Sequence, residues 1–142
     1  MPIELRPCAA EPELLDPEVT GEFAGAMAQV TAEEQVPPWC AYVGRRDGRP
    51  VGFGGFKGPP DAVGTVEIGY LTFPKSEGTG VATAVALSLV GIAQASGARS
   101  VIAHTLCEPN ASTRVLEKAG FERDGFGHDD DEGEVWRWRR EP

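Results

Sequence analysis

Basic residues are scarce in this chain. Its 142 residues hold 13 Lys and Arg against 22 Asp and Glu, a net charge of −9. Nucleic-acid affinity rests on Lys and Arg at phosphates, so this balance argues against a nucleic-acid partner. It suits a cationic acceptor such as an amine, although acidity also serves plain solubility. Cysteine is sparse too. Cys8, Cys40 and Cys107 are odd in number and far apart. That argues against a disulfide framework or a zinc site, and for a reducing compartment, the cytoplasm. No apolar run reaches the roughly 18 residues of a membrane span. Residues 1–17 lack the charged-then-apolar order of a secretion signal, so no membrane partner is expected. The familiar nucleotide motifs are missing as well. No lysine follows a second glycine as in a P-loop, and neither Gly52-Phe53-Gly54 nor Gly78-Thr79-Gly80 has the third glycine of a Rossmann turn.

What is present is an ordinary globular composition, 41% apolar and 25% charged. Its length predicts one domain over 1–142 with one core. There is no internal repeat or low-complexity tract.

The chain is organised around Val66 to Ser96. Val66, Ile68 and Tyr70 alternate with Glu67, Gly69 and Leu71, the period of a strand. Phe73-Pro74 ends the pairing. Glu77-Gly78-Thr79-Gly80-Val81-Ala82 follows, then a long apolar run at helical spacing to about Ser96, with Gly97 as its stop. Small residues at 78, 80 and 82 leave backbone N–H groups uncovered at the positive end of a helix dipole, a site for phosphate or pyrophosphate. Arg99 to Thr105 reads as the next strand. Strand, helix, strand implies a parallel pair with a right-handed crossover.

Upstream, Ile3 to Arg6 is a short strand. Residues 13 to 35 read as one or two helices, with Gly21 a break. Cys40–Gly44 and Val51–Lys57 form a hairpin turned at Arg46-Asp47-Gly48-Arg49. Gly52, Gly54 and Gly55 indicate a bulge or a close backbone approach. Downstream, Asn110 caps a short helix that Gly120 stops before Phe121. Phe121–Phe126 and Val135–Arg139 form a last hairpin. The charge run His128 to Glu134 between them reads as a solvated tip.

Two of these stretches resemble motifs of the GNAT superfamily of acyl-CoA-dependent N-acyltransferases, most closely its RimJ/RimL-like branch. Residues 77–82 are similar to motif A, [QR]-x-x-G-x-[GA]. Gly80 and Ala82 match, and Glu77 stands where the family has Gln or Arg. Residues 110–121 resemble motif B, roughly N-x-x-S-x-R-V-x-E-K-x-G-F. Ser112, Arg114-Val115, Glu117-Lys118 and Gly120-Phe121 match, while Asn110 lies one residue nearer Ser112. The resemblance spans about residues 39–140.

It implies an α/β (α+β) fold: a mixed, mostly antiparallel twisted sheet of about seven strands with a central parallel pair and helices on both faces. It implies acetyl-CoA as co-substrate and transfer of the acetyl group to a primary amine, on a protein N-terminus or a small molecule, by a monomer or homodimer without a metal. By the same resemblance the coenzyme contacts are Leu71, Thr72, Phe73, Glu77, Gly78, Thr79, Gly80, Val81, Ala82 and Asn110. The central parallel strands should part to admit the pantetheine arm, which pairs with one of them as an added strand would.

The reaction needs a neutral amine, a donor for the oxyanion and a proton for the leaving thiolate. Glu67 is the candidate base, acting through water, with apolar neighbours expected to raise its pKa. The other reading is a carboxylate that faces solvent or pairs with a cation on the next strand. Ser112 is the candidate acid, because Leu116 occupies the place where many relatives carry a tyrosine. Its other reading is a local helix cap. His104 and Cys107 are secondary candidates. Glu77 and Leu116 also suit a non-catalytic acyl-CoA-binding or sensing module, and a plain interaction domain without coenzyme is a third reading.

Overall fold

The alternating apolar stretches become seven strands in a computed structural model that describes residues 3–9 and 11–142. They are β1 (Glu4–Pro7), β2 (Ala41–Arg46), β3 (Arg49–Phe56), β4 (Thr65–Thr72), β5 (Ser100–Thr105), β6 (Glu122–Asp129) and β7 (Gly133–Arg140). They form one sheet in the order β1-β2-β3-β4-β5-β7-β6. Neighbours are antiparallel except β4 and β5, which run parallel. The helices are α1 (Pro12–Leu15), α2 (Pro17–Thr20), α3 (Ala24–Thr31), α4 (Val81–Ala95) and α5 (Ala111–Lys118). This is the mixed, mostly antiparallel architecture expected from the sequence. Among the described residues no helix is long and apolar enough to cross a membrane.

Side-chain parity divides the core between the two faces. Val66 and Ile68 of β4 pack with Val85, Leu89 and Leu116 from α4 and α5. Leu71 and Phe73 point the other way, to Leu14 and Met27 of α1 and α3. The β2–β3 hairpin turns at Asp47 (φ 53°) and Gly48 (φ 77°), both left-handed, which is the geometry of a two-residue hairpin.

The stretch 13–35 is more broken than one or two helices. Pro12 and Pro17 each open a separate helix, and the Asp16 side chain accepts the Glu18 N–H at 2.9 Å. Gly21, at φ 59°, ends α2 as expected.

The glycines of β3 serve a close approach. A Cβ at Gly54 would meet Val85 Cγ1 at 2.5 Å and Leu89 Cδ1 at 3.1 Å, and one at Gly52 would meet Val81 Cγ1 at 2.7 Å. The expected bulge is present as well: Gly44 and Arg45 of β2 oppose Gly52 and Pro50, which leaves Val51 of β3 as the extra residue. Gly54→Ala should therefore push α4 off the sheet and cost about 1–3 kcal/mol. In thermal denaturation that is a drop of several degrees. An unchanged Tm would mean that α4 shifts freely.

Candidate active site

The parallel pair is short. β4 and β5 are in register at Thr65↔Ser100, Val66↔Val101 and Glu67↔Ile102, and there the pairing ends. β4 continues against β3 as far as Thr72, while β5 continues against β7 as far as Thr105. A gap opens between them, and one edge of it is bare strand. Its polarity follows from register. Lys57 N–H donates to Glu67 O at 2.9 Å and Phe73 N–H to Val51 O at 3.0 Å. Odd-numbered residues of β4 therefore bond β3, and Tyr70 and Thr72 turn their backbone N–H groups toward the gap. Of the expected contacts at 71–73, Leu71 and Phe73 direct theirs to β3.

At its far end the gap leads to the start of α4. A 3-10 turn over Pro74–Ser76 is followed by Gly78 (φ 76°) and Gly80 (φ 80°), conformations that leave both positions to glycine. No side chain caps α4 at Gly80. The first helical hydrogen bond runs from Ala84 N–H to Gly80 O, 3.1 Å. Among the described residues, the N–H groups of 78–83 find no partner in the protein. Thr79 is held from behind by Arg46, whose guanidinium donates to Thr79 Oγ1 and Thr79 O at 3.2 Å each.

These amides face a cleft of about 620 Å³ whose other wall is α5. Arg114 and Lys118 line that wall, four residues apart on one helical face. Neither forms an ion pair among the described residues. They supply positive charge opposite the exposed Glu77. Sequence reasoning did not place them in this cleft, although their i, i+4 spacing was visible. A larger concavity of about 790 Å³ lies behind the loop, beside Arg46, Arg49 and Lys75, and includes none of the gap.

At the near end of the gap lies Glu67. Its Oε2 accepts from Lys57 Nζ at 2.9 Å and pairs with His104 Nδ1 at 3.0 Å. The expected rise in its pKa does not occur. Burial alone would raise it, but the hydrogen bonds and charges of Lys57 and His104 outweigh burial and hold the carboxyl below the usual range. His128, Asp129 and Asp130 line an open cleft of about 230 Å³ together with Glu67, Lys57 and His104. The tip of the charge run, Asp130 to Glu132, is exposed, as expected.

His104 packs edge-on against the last hairpin. A Cβ at Gly127 would lie 2.5 Å from its Nε2. Gly127→Ala should displace the imidazole and break its bond to Glu67. Proton NMR of the His104 ring checks this: an unmoved resonance would place the ring elsewhere.

Asn110 forms the expected cap. Its Oδ1 accepts from Thr113 N–H at 2.9 Å, and its own N–H donates to Thr113 Oγ1 at 2.9 Å. Ser112 makes no such cap. Its Oγ lies 2.9 Å from Tyr70 Oη, on the α5 side of the gap. Leu116 is fully buried, and Cys107 is exposed with its thiol against Glu134 O at 3.4 Å.

A family model described as an acetyltransferase (GNAT) domain matches residues 7–122. No curated protein matches the sequence. Among solved structures, the chain resembles the aminoglycoside acetyltransferase AAC(6')-Ib in complex with coenzyme A, at 20% identity and TM-score 0.74 over 98% of this chain and 94% of that one. It also resembles Mycobacterium smegmatis RimJ in complex with CoA-disulfide, at 21% identity and TM-score 0.68 over 84% of this chain and 60% of that one. RimL, a ribosomal L7/L12 alpha-N-protein acetyltransferase in complex with coenzyme A, is similar at 18% identity and TM-score 0.63 over 71% and 60%. With its parted parallel strands, its open helix start and a family match across most of its length, the chain belongs to the GNAT acetyltransferase family.

Proposed function

We propose that this chain transfers an acetyl group from acetyl-CoA to a primary amine, by direct attack with both substrates bound, and that residues 1–142 act as one catalytic domain. The observation that carries the reading is the continuity of two features: the bare edge of β4 at Tyr70 and Thr72 leads straight to the uncovered amides at 78–83. From Glu67 to Thr72 is five residues, about 17 Å of strand. That is room for an extended thioester arm whose diphosphate rests at the helix start. Gly78 to Ala82 bind the diphosphate, with Arg114 and Lys118 offsetting Glu77. Asn110 is a further coenzyme contact. The N–H of Thr72 or Tyr70 polarises the thioester carbonyl. Glu67 accepts the amine proton through water, and Ser112 serves the leaving thiolate.

Holding both reactants in one gap supplies much of the rate, since proximity replaces a bimolecular encounter. The motif B match at Ser112 to Phe121 favours the RimJ/RimL-like branch, and with it an α-amine acceptor. An α-amine has a pKa near 8 and needs little deprotonation at neutral pH. Release of free thiol from acetyl-CoA with a panel of peptide and small-molecule amines tests the reading. Tight coenzyme binding with no thiol released on any amine would support a non-catalytic binding module instead.

A further inference from the structure

The gap between β4 and β5 is crossed by a phenol that the roles above leave unused. Tyr70 stands on β4 three residues past Glu67, where β5 has already parted from it. Its ring packs against the core on the α4–α5 face. Its Oη reaches the first turn of α5, 2.9 Å from Ser112 Oγ and 3.3 Å from Ser112 O. The chain has two tyrosines. The other, Tyr42, donates its hydroxyl to Pro38 O at 2.8 Å, away from the gap. Tyr70 is therefore the phenol at the gap, and it touches the residue expected to assist the leaving group.

Resting on the acetyl-transfer reading, we propose that Tyr70 is the proton donor to the leaving thiolate, and that Ser112 is the positioning residue that holds its hydroxyl. The amine nitrogen bonds to the acetyl carbon, and the adduct then breaks its C–S bond with the electron pair leaving on sulfur. Tyr70 Oη–H passes its proton to that sulfur. Ser112 Oγ–H donates to the phenol oxygen as the negative charge appears there. The amine proton goes to water held by Glu67, and a solvent proton restores Tyr70. The products are an amide and a free thiol, with no redox partner.

Acidity selects Tyr70 over Ser112 for the transfer. A thiol titrates near 8.5 and a phenol near 10, close enough for the proton to move as the C–S bond breaks. An aliphatic hydroxyl is a far weaker acid. Burial holds the Tyr70 hydroxyl above its ordinary value, and the Ser112 hydrogen bond pulls it partly back. The donor is therefore protonated at neutral pH.

The test compares wild type, Tyr70→Phe, Ser112→Ala, the double variant, and protein with 3-fluorotyrosine placed at position 70. Coenzyme A binding is measured by calorimetry, and turnover by thiol release over a range of pH. Tyr70→Phe should lower kcat about 100-fold with coenzyme affinity within about twofold of wild type. Ser112→Ala should lower kcat about 10-fold, and should add little to Tyr70→Phe because the two act as a unit. The fluorinated phenol is more acidic, so the alkaline fall in kcat should move to lower pH. A packing role would leave that fall in place. Wild-type turnover with Tyr70→Phe near full activity overturns the donor role and leaves acetyl transfer standing. So does an alkaline fall that the fluorotyrosine does not move. Coenzyme binding by wild type without turnover on any amine overturns the acetyl-transfer reading, and the donor role with it.

Discussion

Ala82→Glu should weaken coenzyme A binding by at least about 100-fold while leaving the melting temperature unchanged or slightly raised. The two effects have opposite signs because they depend on different partners. Ala82 is the second residue of α4 and lines the cleft beside the uncovered amides. An acidic side chain in the first turn of a helix is favourable by about 0.3–1 kcal/mol. The same carboxylate meets a diphosphate as a like charge. At about 4 Å and an effective dielectric near 20, one such pair repels by about 4 kcal/mol. Salt reduces this at the mouth of an open cleft. A residue of about 2.7 kcal/mol is enough for 100-fold.

This substitution is cleaner than Gly80→Glu, which introduces the same charge at φ 80°. A side chain in that left-handed conformation adds backbone strain of about 1–2 kcal/mol, so lost binding could come from lost structure. Isothermal calorimetry with coenzyme A, beside a thermal melt, checks the Ala82 variant. Unimpaired binding in a stable Ala82→Glu protein would remove the diphosphate from the start of α4.

Local chemistry made part of this molecule readable from sequence. The Asp47-Gly48 turn needs only two residues tolerant of positive φ, and Gly78 and Gly80 announce the start of α4 for the same reason. The alternation in β4 and the apolar stripe of α4 are periodic over enough residues to define their faces. What stayed hidden depends on strand register and on where a hairpin joins the sheet. Lys57 stands opposite Glu67 because β3 and β4 pair antiparallel, and that cation reverses the expected direction of the Glu67 pKa. His128 to Asp130 line the same cleft as Glu67, about sixty residues away in the chain, because the last hairpin adds to the sheet beside β5. The contact between Tyr70 and Ser112 needs both the parting of β4 from β5 and the docking of α5. The broken helices near the N-terminus were more accessible. Pro12 and Pro17 each sit at the first position of a helix, where proline is favoured.

Glu67→Gln should lower kcat by about 100-fold, with the acetyl-CoA KM little changed, because removing a general base costs roughly that much. The pH dependence is the sharper readout. Lys57 and His104 hold the folded-state pKa of Glu67 below its ordinary value despite burial, so the basic form is present throughout the neutral range. The fall of kcat/KM that belongs to Glu67 should then lie below the ordinary glutamate range, near 4.3, separate from the fall set by the acceptor amine near 8. Lys57→Met removes one cation and leaves the burial, so the lower fall should move to higher pH. Stability follows the same sign. A carboxyl with a depressed folded pKa stabilises the fold above its unfolded pKa, and that contribution is lost as pH falls through the folded value. Wild type should therefore lose stability on acidification over a range where the Lys57→Met protein loses less. Rate profiles and thermal melts from neutral pH down to about pH 3 measure both. A Glu67→Gln protein with wild-type kcat would leave the cluster a purely structural ion pair. A lower fall that does not move in Lys57→Met would assign that titration to another group.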